Sequence, residues 1–167
     1  MPGASLPLIQ VADGAADMAI TRELFTEYAS SLGFSLCFQG FDEELRTLPG
    51  KYAPPRGALL LARCDGEPVG CVALRPIDAT TAELKRLYVR PDARGRGLGR
   101  ALTEAAIAAA RAMGYAAIRL DTLKSMVEAN RLYDALGFRE IAAYCDNPHD
   151  TARFLELSAN RPDARGG

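Results

Sequence analysis

The chain has 167 residues with 49% hydrophobic and 25% charged side chains, proportions that are typical of one soluble globular domain. A formal net charge of −1 argues against nucleic-acid binding through overall positive charge, and no segment approaches the ~20 apolar residues of a membrane span. Four cysteines without a C-x-x-C spacing indicate reduced thiols in a cytoplasmic protein. The single histidine, His149, argues against a metal site and is expected to be a solvated loop residue after Asn-Pro.

Hydrophobic periodicity and turn residues predict strands and helices along the chain. Strands are predicted at 6–12, on both sides of the Asp65-Gly66 turn within 58–77, and at 82–89, 116–122, 138–144 and 153–158. Helices are predicted at 14–33, within 41–50, and at 98–113 and 125–138, with Asp42 and Ser125 as N-caps of the second and fourth. This order predicts a mixed α/β sheet in one domain, 1–160, followed by a polar tail at 161–167.

Glycine and arginine dominate "RPDARGRGLGRAL" (90–102), which connects the strand ending at Val89 to the helix at 98–113. The first N–H groups of a helix have no partner within it and carry partial positive charge, so they attract anions. Three glycines lack the Cβ atoms that would keep a phosphate from these N–H groups, and three arginines add guanidinium donors. These residues are Gly95, Gly97 and Gly99, and Arg94, Arg96 and Arg100. Because glycine costs about 1 kcal/mol inside a helix, its presence in the first turn favours a phosphate site over a tight solvated turn with incidental arginines.

Two common nucleotide-binding motifs do not match this stretch. A Walker A loop requires Gly-Lys-Ser/Thr, whereas Gly99 is followed by Arg100. A dinucleotide-binding G-x-G-x-x-G begun at Gly95 would require Gly or Ala at position 100, although Asp121 lies about twenty residues on, where a ribose-binding acid is found. The charged strand "ELKRLYV" (83–89) is unlike the apolar first strand of that fold. A nucleotide-cofactor oxidoreductase therefore stays as a second-rank alternative.

The spacing Arg94-x-x-Gly97-x-Gly99, after "LYVRPDARG", resembles motif A of the GCN5-related N-acetyltransferases (GNAT), which hold the pyrophosphate of acetyl-coenzyme A in this loop. The segment "EANRLYDALGF" (128–138) is similar to the next helix of that superfamily, and the element order across 6–158 also fits. The resemblance implies a mixed, mostly antiparallel central sheet flanked by helices. It also implies direct transfer of the acetyl group of acetyl-CoA to a primary amine.

The resemblance further implies which residues contact acetyl-CoA. They are the backbone of Leu87, Tyr88 and Val89, the loop residues Arg94, Gly95, Arg96, Gly97, Leu98, Gly99 and Arg100, and the side chain of Asn130. It implies Tyr133 as the acid that protonates the departing thiolate, while Glu83 is the candidate base, acting directly or through a water. Each of these three side-chain roles has a structural alternative. Tyr133 is then a packed residue on a helical stripe, Glu83 a surface residue paired with Lys85 or Arg86, and Asn130 a residue on a solvated helix face.

The acceptor amine is left open by the sequence, with an amino acid, a polyamine, an aminoglycoside and a protein amine as candidates. By family analogy the segment 33–45, with Phe34, Leu36, Phe38 and Phe41, forms one wall of the acceptor site, and membership of these apolar residues in the core is the equal alternative. The segment 144–150, with Tyr144 and Asn147, is a candidate for the opposite wall, with a simple turn at Asn-Pro as the equal alternative. A catalytically silent acyl-CoA or nucleotide sensor is the other alternative, although a pure binder needs neither Glu83 nor Tyr133. The superfamily also makes a homodimer possible.

Overall fold

The computed structural model describes residues 7–36 and 40–159. Seven strands in this part of the chain form one sheet: β1 (Leu8–Val11), β2 (Ala58–Cys64), β3 (Glu67–Pro76), β4 (Thr81–Val89), β5 (Ala117–Leu123), β6 (Arg139–Glu140) and β7 (Ala152–Ser158). The helices are α1 (Gly14–Ser31), α2 (Phe41–Thr47), α3 (Leu98–Ala112) and α4 (Val127–Leu136), with short 3-10 turns at Gly50–Tyr52 and Pro91–Ala93.

The strands lie in the order β1-β2-β3-β4-β5-β7-β6, and every pairing is antiparallel except that of β4 with β5. The prediction of a mixed, mostly antiparallel sheet flanked by helices is therefore confirmed. The dinucleotide-binding alternative is wrong at the level of the fold, because the strand before the glycine loop pairs antiparallel with β3 rather than lying inside a parallel sheet.

Each face of the sheet carries its own helices, and alternation along β2 divides the core between them. Leu60 and Ala62 pack into the cluster that contains α3 and α4, whereas Leu59 and Leu61 pack into the cluster that contains Leu24 of α1. The α3 residues of that first cluster recur every three or four positions: Leu98, Leu102, Ala106, Ile107 and Ala110. This spacing places one apolar stripe of the helix on the sheet, and burial of that stripe holds the N-terminus of α3 beside the end of β4.

The parallel pair β4–β5 comes apart after its first residues. The ladder joins Thr81 to Ala117, Ala82 to Ile118 and Glu83 to Arg119. Beyond these pairs, residues 84–89 of β4 and 120–123 of β5 have no ladder between them in the described structure. The backbone groups on this side of β4 therefore form an open strand edge inside the sheet.

A β-bulge in β4 lies at the same point. The register with β3 changes from Ala73 opposite Lys85 to Cys71 opposite Tyr88, so β4 carries one extra residue. Arg86 has φ 62°, a left-handed conformation that is unusual for a residue other than glycine. A bulge changes which face of the sheet the following side chains point to. This bulge lies where β4 and β5 separate.

Three predicted boundaries are wrong. The second helix begins at Phe41 after the left-handed Gly40, so Asp42 lies in its first turn and is not the N-cap. The fourth begins at Val127 after Met126, and Ser125 is not its N-cap. The strand predicted at 138–144 is reduced to β6, because residues 144–147 turn toward β4 and β5. The tail at 161–167, Cys37 and Phe38 lie outside the described residues.

Candidate active site

The glycine-arginine loop borders a groove, called the loop groove here, between the open edge of β4 and the start of α4. Nine of the predicted acetyl-CoA contacts line it: Leu87, Tyr88, Val89, Arg94, Gly95, Gly97, Leu98, Gly99 and Arg100. Two others, Arg96 and Asn130, are not among its lining residues. The residues that the sequence places on a strand, a turn and a helix thus meet at one surface.

The backbone of the loop leaves the first turn of α3 open to a ligand. Gly95 and Gly97 have φ of 82° and 76°, and Gly97 is the N-cap, so no side chain caps the first N–H groups. Gly99 has neither a left-handed φ nor a crowded environment, since a Cβ added there would meet only Leu132 Cδ2, at 3.8 Å. The protein itself therefore does not require glycine at 99.

The loop arginines differ in how they are held. Arg94 donates a hydrogen bond from Nε to the carbonyl of Val89 at 2.9 Å, and its guanidinium carbon lies 6.0 Å from the ring centre of Tyr88. Arg100 is half-exposed, with an ion pair to Glu104 at 3.5 Å. Both lie at the loop groove, where a guanidinium forms forked hydrogen bonds to phosphate oxygens.

A second cavity, called the divergence cavity here, lies where β4 and β5 separate. Its lining includes Phe34, Lys85, Asp121, Met126, Tyr133 and His149. Tyr133 is 6% exposed and packs edge-on against Phe138, with ring centres 5.6 Å apart. Its hydroxyl has no hydrogen-bond partner within residues 7–36 and 40–159. Burial raises the pKa of Tyr133, so the phenol is protonated at neutral pH.

Asn130 is buried rather than on a solvated helix face, so that structural alternative is wrong. Its Nδ2 donates to the carbonyls of Leu123 and Met126, both at 2.8 Å, and its Oδ1 accepts a hydrogen bond from Arg153 at 2.8 Å. The side chain thereby fixes the first turn of α4 to the end of β5 and to β7. Its predicted contact with acetyl-CoA stays a prediction.

Glu83 is 3% exposed, so the expectation of a surface glutamate is wrong, although its pairing with Lys85 is present at 3.8 Å. Arg75 donates to one carboxylate oxygen at 2.9 Å, and the hydroxyl of Tyr144 donates to the other at 2.7 Å. Burial by itself raises the pKa of Glu83, but Lys85, Arg75 and the Tyr144 hydrogen bond outweigh it and lower that pKa. The carboxyl group is therefore ionised at neutral pH.

The sequence did not identify Lys85 as a residue of the site, only as a possible partner of Glu83, and it offered Asp121 only as a ribose-binding acid. Lys85 Nζ lies 3.8 Å from Asp121 Oδ1, and Asn147 Nδ2 donates to the other oxygen of Asp121 at 3.1 Å. Burial lowers the pKa of Lys85, while Glu83 and Asp121 oppose that effect. The sequence did contain an indication that Lys85 belongs to the site. Glu83 and Lys85 are two residues apart, so they place two charges on one face of a strand that is otherwise buried.

The two segments predicted as acceptor walls meet across the divergence cavity. The rings of Phe34 and His149 pack with centres 4.2 Å apart and planes tilted by 53°, so His149 lies in a loop as expected but is half-buried rather than solvated. Leu36 and Asn147 also line this cavity, whereas Tyr144 lines a third cavity beside it. Phe41 instead packs near Arg86.

Cys64, Cys71 and Cys145 are free thiols. In the described ranges, His, Cys, Asp and Glu form no group of three that could hold a metal ion. None of the helices there combines the length and the apolar character that crossing a membrane requires.

A sheet that opens beside an uncapped, glycine-rich helix N-terminus is an arrangement that suits an extended, phosphate-bearing ligand. The sequence model of the acetyltransferase (GNAT) family matches residues 20–138, and the chain belongs to this family. An uncharacterized N-acetyltransferase of Schizosaccharomyces pombe is 37% identical over 147 residues, which cover 87% of this chain and 90% of that protein. The N-acetylaspartate synthetase of Rattus norvegicus is 37% identical over 91 residues, which cover 54% of this chain and 30% of that protein.

The fold agrees with this membership. A Salmonella typhimurium protein assigned as an acetyltransferase, solved with its cofactor acetyl-CoA, superposes with a TM-score of 0.65 at 24% identity, over 95% of this chain and 98% of that one. The prediction of an acetyl-CoA-dependent N-acetyltransferase is confirmed by the family. Acetyl-CoA is the cosubstrate, and an amine is the general class of acceptor.

Proposed function

We propose that acetyl-CoA lies along the open edge of β4, with its diphosphate on the loop 94–100 and its thioester in the divergence cavity. The observation that carries this proposal is the separation of β4 from β5 after Glu83, directly beside the uncapped N-terminus of α3. The pantetheine amides then pair with backbone groups of 87–89 on the side of β4 that β5 leaves open, as an added strand pairs with a sheet edge. The diphosphate accepts hydrogen bonds from the first N–H groups of α3 and from Arg94 and Arg100.

Tyr133 is the proposed acid. The amine attacks the thioester carbonyl, the tetrahedral adduct collapses, and the sulfur leaves as a thiolate that takes a proton from the phenol. Burial keeps this phenol protonated, Tyr133 lines the divergence cavity, and its hydroxyl has no partner among the described residues that would compete for its proton. A positioned acid of this kind contributes about a hundredfold or more to the rate.

Glu83 is the proposed base. An acceptor amine with a pKa like that of lysine, about 10.4, is protonated at pH 7 and must lose a proton before it attacks. Glu83 is ionised, and it lies where the β4–β5 ladder ends, with Tyr144 donating to it. We propose that the proton passes from the ammonium to this carboxylate through a water, with Tyr144 keeping the carboxylate in place.

The acceptor enters from the side of Tyr144 and Asn147, opposite the loop groove. An amino acid is one of the acceptors left open by the sequence, and the name of the rat relative, N-acetylaspartate synthetase, supports that class. A homodimer and a cytoplasmic location also remain predictions.

Calorimetry with coenzyme A and a thiol-release assay with a library of amines test this proposal together. We expect wild-type protein to bind coenzyme A and to release thiol only when an amine is present. Tyr133→Phe should bind acetyl-CoA like wild type but turn over about a hundredfold more slowly. Tyr115→Phe is the matched control, because the Tyr115 hydroxyl donates to the carbonyl of Arg56, away from both cavities, and its loss should leave turnover unchanged.

Two results would contradict the proposal. Coenzyme A binding without acetyl transfer to any amine would favour the sensor alternative. A loss of acetyl-CoA affinity in Tyr133→Phe as large as the loss of turnover would remove the acid role of Tyr133 and leave it a packing residue.

A further inference from the structure

Lys85 is a buried cation without a hydrogen bond to any described residue. Only 6% of its side chain is exposed, and its nearest charged partners, Glu83 Oε2 and Asp121 Oδ1, both lie 3.8 Å from Nζ. This distance exceeds that of a hydrogen bond to an ammonium, which has three N–H donors to satisfy. Burial of an ammonium with open donors is unfavourable, so an acceptor within hydrogen-bond distance of Nζ would stabilise it.

Lys85 and Asp121 lie on the boundary between two cavities. Both line the divergence cavity, which also contains Tyr133, and both line the third cavity, called the outer cavity here. The other charged or phenolic side chains that line the outer cavity are Lys51, Arg75, Glu83, Tyr144 and Asp146. Lys85 and Asp121 are therefore shared by the outer cavity and by the divergence cavity, where the thioester is proposed to lie.

The charges at this boundary are balanced, but their hydrogen bonds are not. Three cations, Lys51, Arg75 and Lys85, face three carboxylates, Glu83, Asp121 and Asp146, in the outer cavity. Glu83 already accepts hydrogen bonds from Arg75 and Tyr144, and Asp121 accepts one from Asn147. Lys51 and Asp146 are exposed to solvent, so the buried charged group of this set that lacks a hydrogen bond to a described residue is Lys85, which a further cation cannot satisfy.

We propose that the acceptor is a free amino acid, with its carboxylate hydrogen-bonded to Lys85 and its amine beside Asp121, facing the thioester. An α-amino acid carries both charges on one carbon, which suits a cation and an anion whose charged atoms are 3.8 Å apart. A polyamine or an aminoglycoside offers no anion to Lys85, and a lysine side chain in a protein carries none next to its amine. This inference rests on the proposed function and deepens it, because it names the acceptor class of the same site.

The first test compares pairs of acceptors with the wild-type enzyme. Each amino acid of a panel is assayed beside its α-carboxamide, which keeps the amine and the side chain but has lost the negative charge. We expect the free acid of the preferred amino acid to have at least about a tenfold higher kcat/KM, the value of one hydrogen bond to a charged group. Equal or better turnover of the amides would overturn the inference.

The second test removes the cation. Lys85→Met should raise the KM for the amino acid and bring the ratio of kcat/KM between acid and amide close to one, while the calorimetric Kd for acetyl-CoA stays unchanged. Lys124→Met is the matched control, because Lys124 is exposed in the turn after β5 and lines none of these cavities. An unchanged ratio in Lys85→Met would overturn the inference, and so would an equal loss of ratio in Lys124→Met.

The two levels of the proposal fail in different ways. Transfer to amines with no preference for a carboxylate would refute the amino-acid acceptor and leave the proposed function intact. Binding of acetyl-CoA with no transfer to any amine would refute the proposed function and the inference with it. Because the acid–amide comparison uses wild-type protein, a folding defect in Lys85→Met does not affect the first test.

Discussion

Gly99→Ala should stabilise the free protein and weaken its binding of coenzyme A. The added methyl group lies on α3, where φ is not left-handed and the nearest atom, Leu132 Cδ2, is at an ordinary contact distance of 3.8 Å. Gly→Ala at a compatible position stabilises a fold by about 0.5–1 kcal/mol, because the unfolded chain loses conformational freedom. For a domain of this size the melting temperature of the free protein should rise by about 1–4 °C.

The same methyl group projects into the loop groove and should displace the diphosphate from the N–H groups of α3. Loss of one hydrogen bond to a charged group costs about 2 kcal/mol, or about thirtyfold in Kd. Ligand stabilisation follows RT ln(1 + [L]/Kd), so at a concentration that saturates wild type the shift produced by coenzyme A should shrink by about 4–8 °C.

Calorimetry and thermal unfolding with and without coenzyme A measure the two effects separately. Gly66→Ala, in the β2–β3 turn, is the control. Because Gly66 has a φ of 81°, a Cβ there is unfavourable by about 1–2 kcal/mol, and this variant should lose stability. Its affinity for coenzyme A should not change. Wild-type affinity in Gly99→Ala would refute the phosphate site. A lower melting temperature of the free variant would show that the protein requires this glycine for its own fold.

Three further predictions concern the divergence cavity and its surroundings. Burial raises the pKa of Tyr133 above the ordinary tyrosine pKa of about 10, so ionisation of this phenol should cause no loss of wild-type activity up to about pH 10. A pH–rate profile checks this. Tyr144→Phe removes a hydrogen bond that lowers the pKa of Glu83, so that pKa should rise and the acidic limb of kcat/KM should move to higher pH, whereas an unmoved limb would argue against Glu83 as the base. Asn130→Ala removes three side-chain hydrogen bonds, while the carbonyls of Leu123 and Met126 keep backbone N–H donors and Arg153 keeps Glu140, so denaturant unfolding should detect a loss of about 2 kcal/mol. A loss of acetyl-CoA affinity in Asn130→Ala without that loss of stability would contradict the structural role and support the contact with the cosubstrate that the resemblance implies.

Features set by neighbouring residues were accessible from the sequence alone. The loop 94–100 is one of them, because a glycine-rich helix start with arginines is a local property of the backbone and needs no distant partner. The element order, the apolar stripe of α3 and the place of Tyr133 on α4 have the same origin in short-range periodicity. For this reason the family resemblance and the fold class were predicted correctly.

Only the tertiary structure decided how those elements meet. The separation of β4 from β5, the bulge at Arg86 and the pairing of Lys85 with Asp121 join residues that are far apart in the chain. Strand pairing and the contacts of buried charges depend on long-range packing, which a single sequence does not encode in any local pattern. Asn130 is the clearest case, because the sequence offered a contact with acetyl-CoA or a solvated helix face, whereas its side chain is held by carbonyls at the end of β5 and at the N-cap of α4 and by Arg153 of β7.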